Sequence, residues 1–166
     1  MLKNTLFLLL IISSLSISAQ EKTDSIKVVL DSLAQTQVRC LFEGKAKEFL
    51  EFYSKDYIDL GGGEQGDGSV DFEAWEAKLE RFIASEHFKK VEGKPIEYSL
   101  DIENKDIFSY SEAVELFGEM EKFGFSLAEG DYFFRYPPAK DSPVFDGWIG
   151  IFRLKEGVWK VVAGDG

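Results

Sequence analysis

Any chemistry in this chain has to be built from carboxylates and phenols. The acidic candidates are Asp56, Asp59, Asp101, Asp106 and Asp165, and the tyrosyl donors are Tyr53, Tyr57, Tyr98 and Tyr132. Proton transfer without a cofactor requires a base with a shifted pKa and a donor that stabilises developing negative charge, and an Asp beside a Tyr in an apolar pocket supplies both. Asp56, Tyr53, Tyr98 and Asp165 are the candidates for these two roles. The chain has 30 acidic residues, so some will fall near tyrosines by chance and the pairing argues little by itself. His87, the single histidine, sits in SEHFKK at the tail of a helical stretch. There it reads first as a residue that meets free helix-end carbonyls, and only second as a general base.

Metal and cofactor chemistry find less support. EQGDGSVD offers Glu64, Asp67, Ser69 and Asp71 as oxygen ligands, yet placing Gly68 at the sixth position of a calcium loop puts Gly63 where the first carboxylate belongs. The segment reads instead as a flexible turn that caps the next helix. The sequence contains no Cys/His cluster, nucleophile-elbow motif or phosphate-binding glycine motif, so no metal and no cofactor is expected. Cys40 is the only cysteine, which rules out an internal disulfide. With Val38, Leu41 and Phe42 around it, it reads as a buried thiol, with an intermolecular bridge as the alternative.

The formal charge of −11 argues against nucleic acid and anionic membrane surfaces, which call for clustered Lys and Arg. MLKNTLFLLLIISSLSISAQEK combines Lys3, an apolar run from Leu6 to Ile12 and small residues up to Ala19. This predicts a secretory signal peptide over residues 1–19 and a secreted or periplasmic protein with no membrane attachment after cleavage, a retained anchor being the alternative. Residues 20–166 then suit one domain with its own core.

Residues 24–42 carry Ile26, Val29, Leu30, Leu33, Val38, Leu41 and Phe42 at helical spacing, with Asp24 available as N-cap. Gly44 separates them from a second helix, KAKEFLEFYSKDY, and YIDL follows as a short strand. Phe72, Trp75, Leu79, Phe82 and Ile83 define the clearest amphipathic helix, capped by Ser69 or Asp71. Beyond Pro95 the texture changes to strands: IEYSLDI alternates, and DYFFRYPP is stopped by two prolines. Residues 109–125 carry a capping-box spacing, Ser109 to Glu112, but also a strand-like pattern broken at Gly118, and their strand-rich surroundings favour strand. The chain closes on a hairpin whose loop is Lys155-Glu156-Gly157. That loop places Ile149, Ile151, Arg153, Trp159, Val161 and Ala163 on one face and Trp148, Phe152, Leu154, Val158 and Val162 on the other, so both faces are apolar and must be covered. Helices first and antiparallel strands after predict an α+β fold.

The N-terminal helix, LFEGKAKEFLEFYSKDYIDL, the Trp75 helix and GIFRLKEGVWKVVAGDG together resemble the nuclear transport factor two-like superfamily, including its SnoaL-like members. Gly44, Phe52-Tyr53 and Asp56 stand where that family has its small-residue turn, aromatic and acidic residue, and Gly157, Trp159, Lys160 and Val161 resemble its Gly-x-Trp-Lys-Ile/Val ending. The resemblance implies a cystatin-like α+β cone: N-terminal helices packed on a strongly curved antiparallel sheet that forms a cone-shaped barrel around an apolar pocket, often dimerising through the outer face. Some enzymatic members place a His or acidic residue just after the closing strand, where this chain has Gly164-Asp165, which speaks against a His-centred mechanism. Fold does not fix chemistry in such a family. Tyr53, Trp75, Phe82, Phe134, Trp148, Phe152 and Trp159 are the expected pocket lining, although the same aromatics could fill a solid core. The expectation is an exported, non-catalytic module that binds a small apolar ligand, forms a homodimer, or both. The alternative is a cofactor-independent lyase or isomerase of the SnoaL or ketosteroid isomerase-like type.

Overall fold

Leu30, Ala34, Val38, Leu41 and Phe42 are all fully buried along one stripe of a long first helix, α1 (Leu2–Phe42), where spacings of four, four, three and one keep them on a single face. In the computed structural model the described residues are 2–61, 72–119, 121–122 and 125–165, of which 2–20 and 121–122 are described as backbone. The side chains of the expected signal segment and the candidate calcium loop at residues 62–71, with the Ser69 and Asp71 caps, therefore lie outside the described residues. Asp24 lies inside α1 and does not cap it, because the helix begins well before it. The helix ends in a Schellman motif at Gly44: Lys45 N donates to Cys40 O at 2.8 Å and Gly44 N to Leu41 O at 2.9 Å.

The second helix, α2 (Ala46–Leu50), is shorter than its sequence pattern suggests, and its one buried residue is Phe49. The chain leaves it to enter β1 (Tyr53–Asp59), so Tyr53 stands on a strand and not on a helix. Val161 N donates to Phe52 O at 2.8 Å, and β1 runs alongside the last strand. Tertiary pairing, together with the strand preference of Tyr53, Tyr57 and Ile58, overrides the helical periodicity.

After α3 (Phe72–Ile83), IEYSLDI is not the expected strand. Its Ile96–Tyr98 portion is one 3-10 turn, Leu100 makes a single bridge to Pro138, and Tyr98 is 46% exposed. Ile96 and Leu100 are buried four residues apart, a spacing common to a strand face and a helical turn. Residues 109–125 also depart from the strand expectation. After β2 (Asp106–Ser109), the segment opens as helix α4 (Tyr110–Phe117), held by a capping box in which Ser109 N donates to Glu112 Oε2 at 2.6 Å and Ser109 Oγ to the same oxygen at 2.7 Å. The local cap decides this segment against its surroundings. Two short strands follow, β3 (Glu121–Lys122) and β4 (Phe125–Ser126), then β5 (Tyr132–Tyr136), β6 (Trp148–Lys155) and β7 (Val158–Asp165).

The main sheet has the order β1-β7-β6-β5-β2. The β1–β7 pair is parallel and the others antiparallel, so the sheet is mixed, and it is open with β1 and β2 at its edges rather than closed into a barrel. The chain's path permits a parallel first strand, because β1 is joined to its neighbour through the whole intervening chain and not by a hairpin.

The β6–β7 turn is the two-residue Glu156-Gly157, with φ of 51° and 82°, and not the three-residue loop read from the sequence. Both residues need the left-handed region, which glycine takes without strain. Leu154 therefore faces Trp159, and Phe152 faces Val161. A bulge then accommodates Val162 before Ile151 meets Ala163. Trp159 and Val161 consequently lie on the Phe152 face, and Val162 joins Ile151 and Ala163 on the other, which corrects the expected division of the hairpin.

The helix-covered face carries Tyr53, Tyr57, Phe134, Tyr136, Trp148, Phe152 and Val161, packed with the α1 stripe, Phe49, Trp75 and Leu79 in the larger core. Gly150 makes room for this layer: a Cβ there would stand 2.3 Å from the Phe134 ring. The opposite face carries Phe133, Ile151, Val162 and Ala163. The chain's own Ala113 on α4, Phe125 and Leu60 pack with them.

Candidate functional site

One end of the larger core leaves a cavity of about 150 Å³ lined by Leu41, Trp75, Lys78, Leu79, Phe82, Val144, Phe145 and Trp148. Each element places its residues by simple periodicity. Leu41 ends the buried stripe of α1, while Trp75, Lys78, Leu79 and Phe82 occupy the i, i+3, i+4, i+7 positions of α3. Trp148 begins β6, and the preceding connection brings Val144 and Phe145 over the top. Phe145 stacks on Phe42 at 5.5 Å and meets Trp148 and Phe82 edge-on at 5.7 and 5.8 Å, which holds the wall rigid.

Below Trp75 lies a group of buried polar residues. The Tyr53, Tyr57 and Trp75 rings meet at 4.8, 5.5 and 5.6 Å. Burial, with smaller contributions from neighbouring Tyr57 and Asp59, pushes the Tyr53 phenol well above its usual range, and burial followed by Asp59 and Asp165 does the same to Tyr57. Both are neutral hydrogen-bonding groups at physiological pH. Asp59 is 1% exposed and its carboxylate is fully engaged: Lys78 Nζ donates to Oδ2 at 2.9 Å, and Gly61 N to Oδ1 at 3.0 Å. Gln37 on α1 is 0% exposed and lies against the Tyr53 hydroxyl, where a weak hydrogen bond from its side chain partly offsets the effect of burial on the phenol although no contact has full hydrogen-bond geometry; Trp75 Nε1 is buried without a partner.

Of the expected pocket residues, Trp75, Phe82 and Trp148 line the cavity. Tyr53 lies beneath it, against Trp75. Phe134 and Phe152 are fully buried and pack on each other at 4.9 Å as solid core, while Trp159 meets Tyr132 edge-on at 5.6 Å away from the cavity. The catalytic candidates are dispersed. The Asp56 side chain is 67% exposed and paired with Lys155, whose ammonium, together with the Ser54 hydroxyl, holds the carboxyl below its usual range. Asp165 is exposed at the end of β7, paired with Ile149, and Tyr98 is exposed beneath the Lys94 ammonium. His87 is exposed ahead of a short 3-10 turn. Cys40 is half-buried, and burial is the main cause that raises its thiol pKa.

Sequence reasoning overlooked Gln37, Leu41, Lys78, Leu79, Val144 and Phe145. Gln37 carried a usable signal, since it falls three residues after Ala34 and four before Leu41, inside the apolar stripe of α1. The other five become neighbours only through packing of α1, α3 and the chain before β6.

A wider groove of about 990 Å³ opens on the surface beside β1 and the β6–β7 hairpin, where Lys47, Lys55, Lys155 and Lys160 alternate with Glu51, Glu76 and Glu156. Its mixed charge, with Lys155 spent on Asp56 and Lys160 on the Glu51 carbonyl, gives no field of one sign. Among the described residues no group of three or more metal-ligating side chains occurs. No family model matches the chain, and no curated protein or solved structure matches it significantly.

Proposed function

We propose that this chain is an exported small domain of the nuclear transport factor two-like type, with its helices on a curved cone-like sheet, that binds a small apolar ligand without catalysis. The observation that carries this reading is the apolar cavity between α1, α3 and Trp148, whose one charged lining residue among those described, Lys78, is already spent on Asp59. Its volume suits a benzene-sized body. A non-catalytic role agrees with the engagement of Asp59 and the exposure of Asp56 and Asp165, which leave no free base facing the cavity among the described residues.

Trp75 and Trp148 both line the cavity, so their fluorescence reports occupancy. Titration with toluene is expected to give a saturable change that is lost in Leu79→Trp, where a larger ring fills the space. An unchanged spectrum at saturating toluene refutes the binding reading.

The buried Asp59 beside two neutral phenols favours one second reading, a cofactor-independent lyase or isomerase in which Lys78 releases the carboxylate. It requires turnover that disappears in Asp59→Asn. Homodimerisation would draw on the exposed Leu116 and Phe117, and a monomer by light scattering removes it.

A further inference from the structure

Asp59 and Lys78 meet at the wall of the apolar cavity, and they are not equivalent partners. Asp59 is 1% exposed at the end of β1, and its Oδ1 accepts from Gly61 N at 3.0 Å, so the turn that leaves the strand holds the carboxylate independently of α3. Lys78 is the adaptable partner: its side chain is 41% exposed, and its long stem carries an ammonium with three donors. One donor goes to Asp59 Oδ2 at 2.9 Å. The same nitrogen lies 5.4 Å from the centre of the Trp75 ring, and Trp75 and Lys78 both line the cavity. A cation at the wall of an apolar pocket ordinarily selects anions. Here a buried carboxylate stands one hydrogen bond behind it and cancels its charge.

We propose that Asp59 is the specificity-determining residue of the cavity: by holding the Lys78 ammonium it closes the cavity to organic acids and restricts the ligand to uncharged molecules. This inference rests on the ligand-binding reading above and narrows its ligand class. An organic acid has two placements. Its carboxylate can approach Lys78, where the Asp59 carboxylate repels it, or it can lie unpaired against Leu41, Leu79 and Phe82, and both are unfavourable. An organic amine gains no better partner, because Asp59 already accepts from Lys78 and from Gly61 N. An uncharged body leaves the pair undisturbed. A pair that served only as a strut between α3 and β1 would hold the two elements together without influencing ligand charge, so selectivity separates the two roles.

Benzyl alcohol, benzoate and benzylamine place an uncharged, an anionic and a cationic group on one ring, and toluene reports the cavity itself. Affinities are read near neutral pH by calorimetry and tryptophan fluorescence on the wild-type protein, Asp59→Asn and Lys78→Met. The wild type is expected to bind benzyl alcohol at least about tenfold more tightly than either ion. Asp59→Asn keeps the side-chain shape and releases the ammonium, so benzoate is expected to gain at least about tenfold relative to benzyl alcohol. Lys78→Met leaves the Asp59 charge without its cation, and benzylamine is expected to gain by about the same factor. Taking each gain as a ratio to benzyl alcohol cancels any general change in the cavity. A variant that loses its native circular dichroism is set aside, and the wild-type ratios with the remaining variant decide.

A wild type that binds benzoate as tightly as benzyl alcohol overturns the inference. An unchanged benzoate ratio in Asp59→Asn, or an unchanged benzylamine ratio in Lys78→Met, also overturns it and makes the pair a strut between α3 and β1. In each of these cases toluene binding leaves the cavity reading intact. If neither toluene nor benzyl alcohol binds the wild type, the cavity reading falls and the inference falls with it.

Discussion

The two faces of the main sheet are both apolar, yet they are covered in different ways. On the helix-covered face, α1 and α3 lie over Phe134, Phe152 and Tyr136 in a deep layer that contains the cavity, Asp59 and Gln37. On the opposite face, Phe133, Ile151, Val162 and Ala163 lie under the short α4 and Phe125. Polar groups there are matched: Arg153 Nε and one terminal nitrogen donate to the two oxygens of the buried Asp131 at 2.7 and 2.6 Å, and Glu112 is shared by Ser109 and Lys27. Among the described residues the buried side-chain atoms without a hydrogen bond of full geometry belong to Gln37, which lies against the Tyr53 hydroxyl, to Trp75, which borders the cavity, and to Ser99. A face that leaves buried polar groups unpaired gives up stability, and such a sacrifice is characteristic of places kept for a ligand. Among the described residues the opposite face has no comparable feature and reads as a structural closure of the sheet by the chain itself.

The sharpest test compares adjacent residues of β5 that point to opposite sides. Phe134→Ala, on the cavity side, is expected to cost about 3–5 kcal/mol of unfolding free energy, and Phe133→Ala about half as much, because α4 and Phe125 form a thinner cover that can settle into the space. Equal losses in urea unfolding would break the asymmetry. A smaller effect isolates the cover. Ser109→Ala removes the cap of α4 and is expected to cost about 1 kcal/mol, with toluene binding unchanged because α4 does not reach the cavity. A parallel loss of binding would join the two faces into one functional unit.

The smallest expected effect lies outside both cores, at the Asp56–Lys155 pair. Lys155 and Ser54 hold the folded Asp56 carboxyl below its unfolded value, so the pair's contribution is fully present above about pH 4 and is lost as the pH falls through the folded value. Lys155→Met is expected to lower the urea midpoint slightly at pH 6 and to leave it nearly unchanged at the acid end. The pair is exposed, so 0.5 M salt should shrink the difference.

How much of this was legible beforehand depended on which force decided each segment. The stripes of α1 and α3 were readable because burial of one face imposes a 3.6-residue period on the sequence. Trp75 and Phe82 stood out as part of that stripe and Trp148 as part of the closing hairpin, but their aromatic rings fitted a pocket wall and a solid core equally well. The Ser109–Glu112 box was visible as well, but the strand-rich neighbourhood was given more weight than a cap that acts on its own backbone. The segment from Tyr53 to Tyr57 was misread as helix because its pairing partner, β7, lies about a hundred residues later. The hairpin register turned on one residue of loop length and on the bulge at Val162, neither of which the alternation of apolar residues specifies.

By itself the sequence determined the α+β class, the two amphipathic helices, the closing hairpin, the acidic charge and the apolar character of both sheet faces. These follow from local periodicity and composition, which each segment carries within itself. Tertiary structure alone decided that the sheet is mixed and open, that α4 covers one face, that Phe134 and Phe152 fill core while Trp75 and Trp148 border a cavity, and that Gln37 is buried against the Tyr53 hydroxyl. Those outcomes depend on contacts between segments far apart in the chain, where packing volume and hydrogen-bond geometry choose among arrangements that one and the same pattern allows.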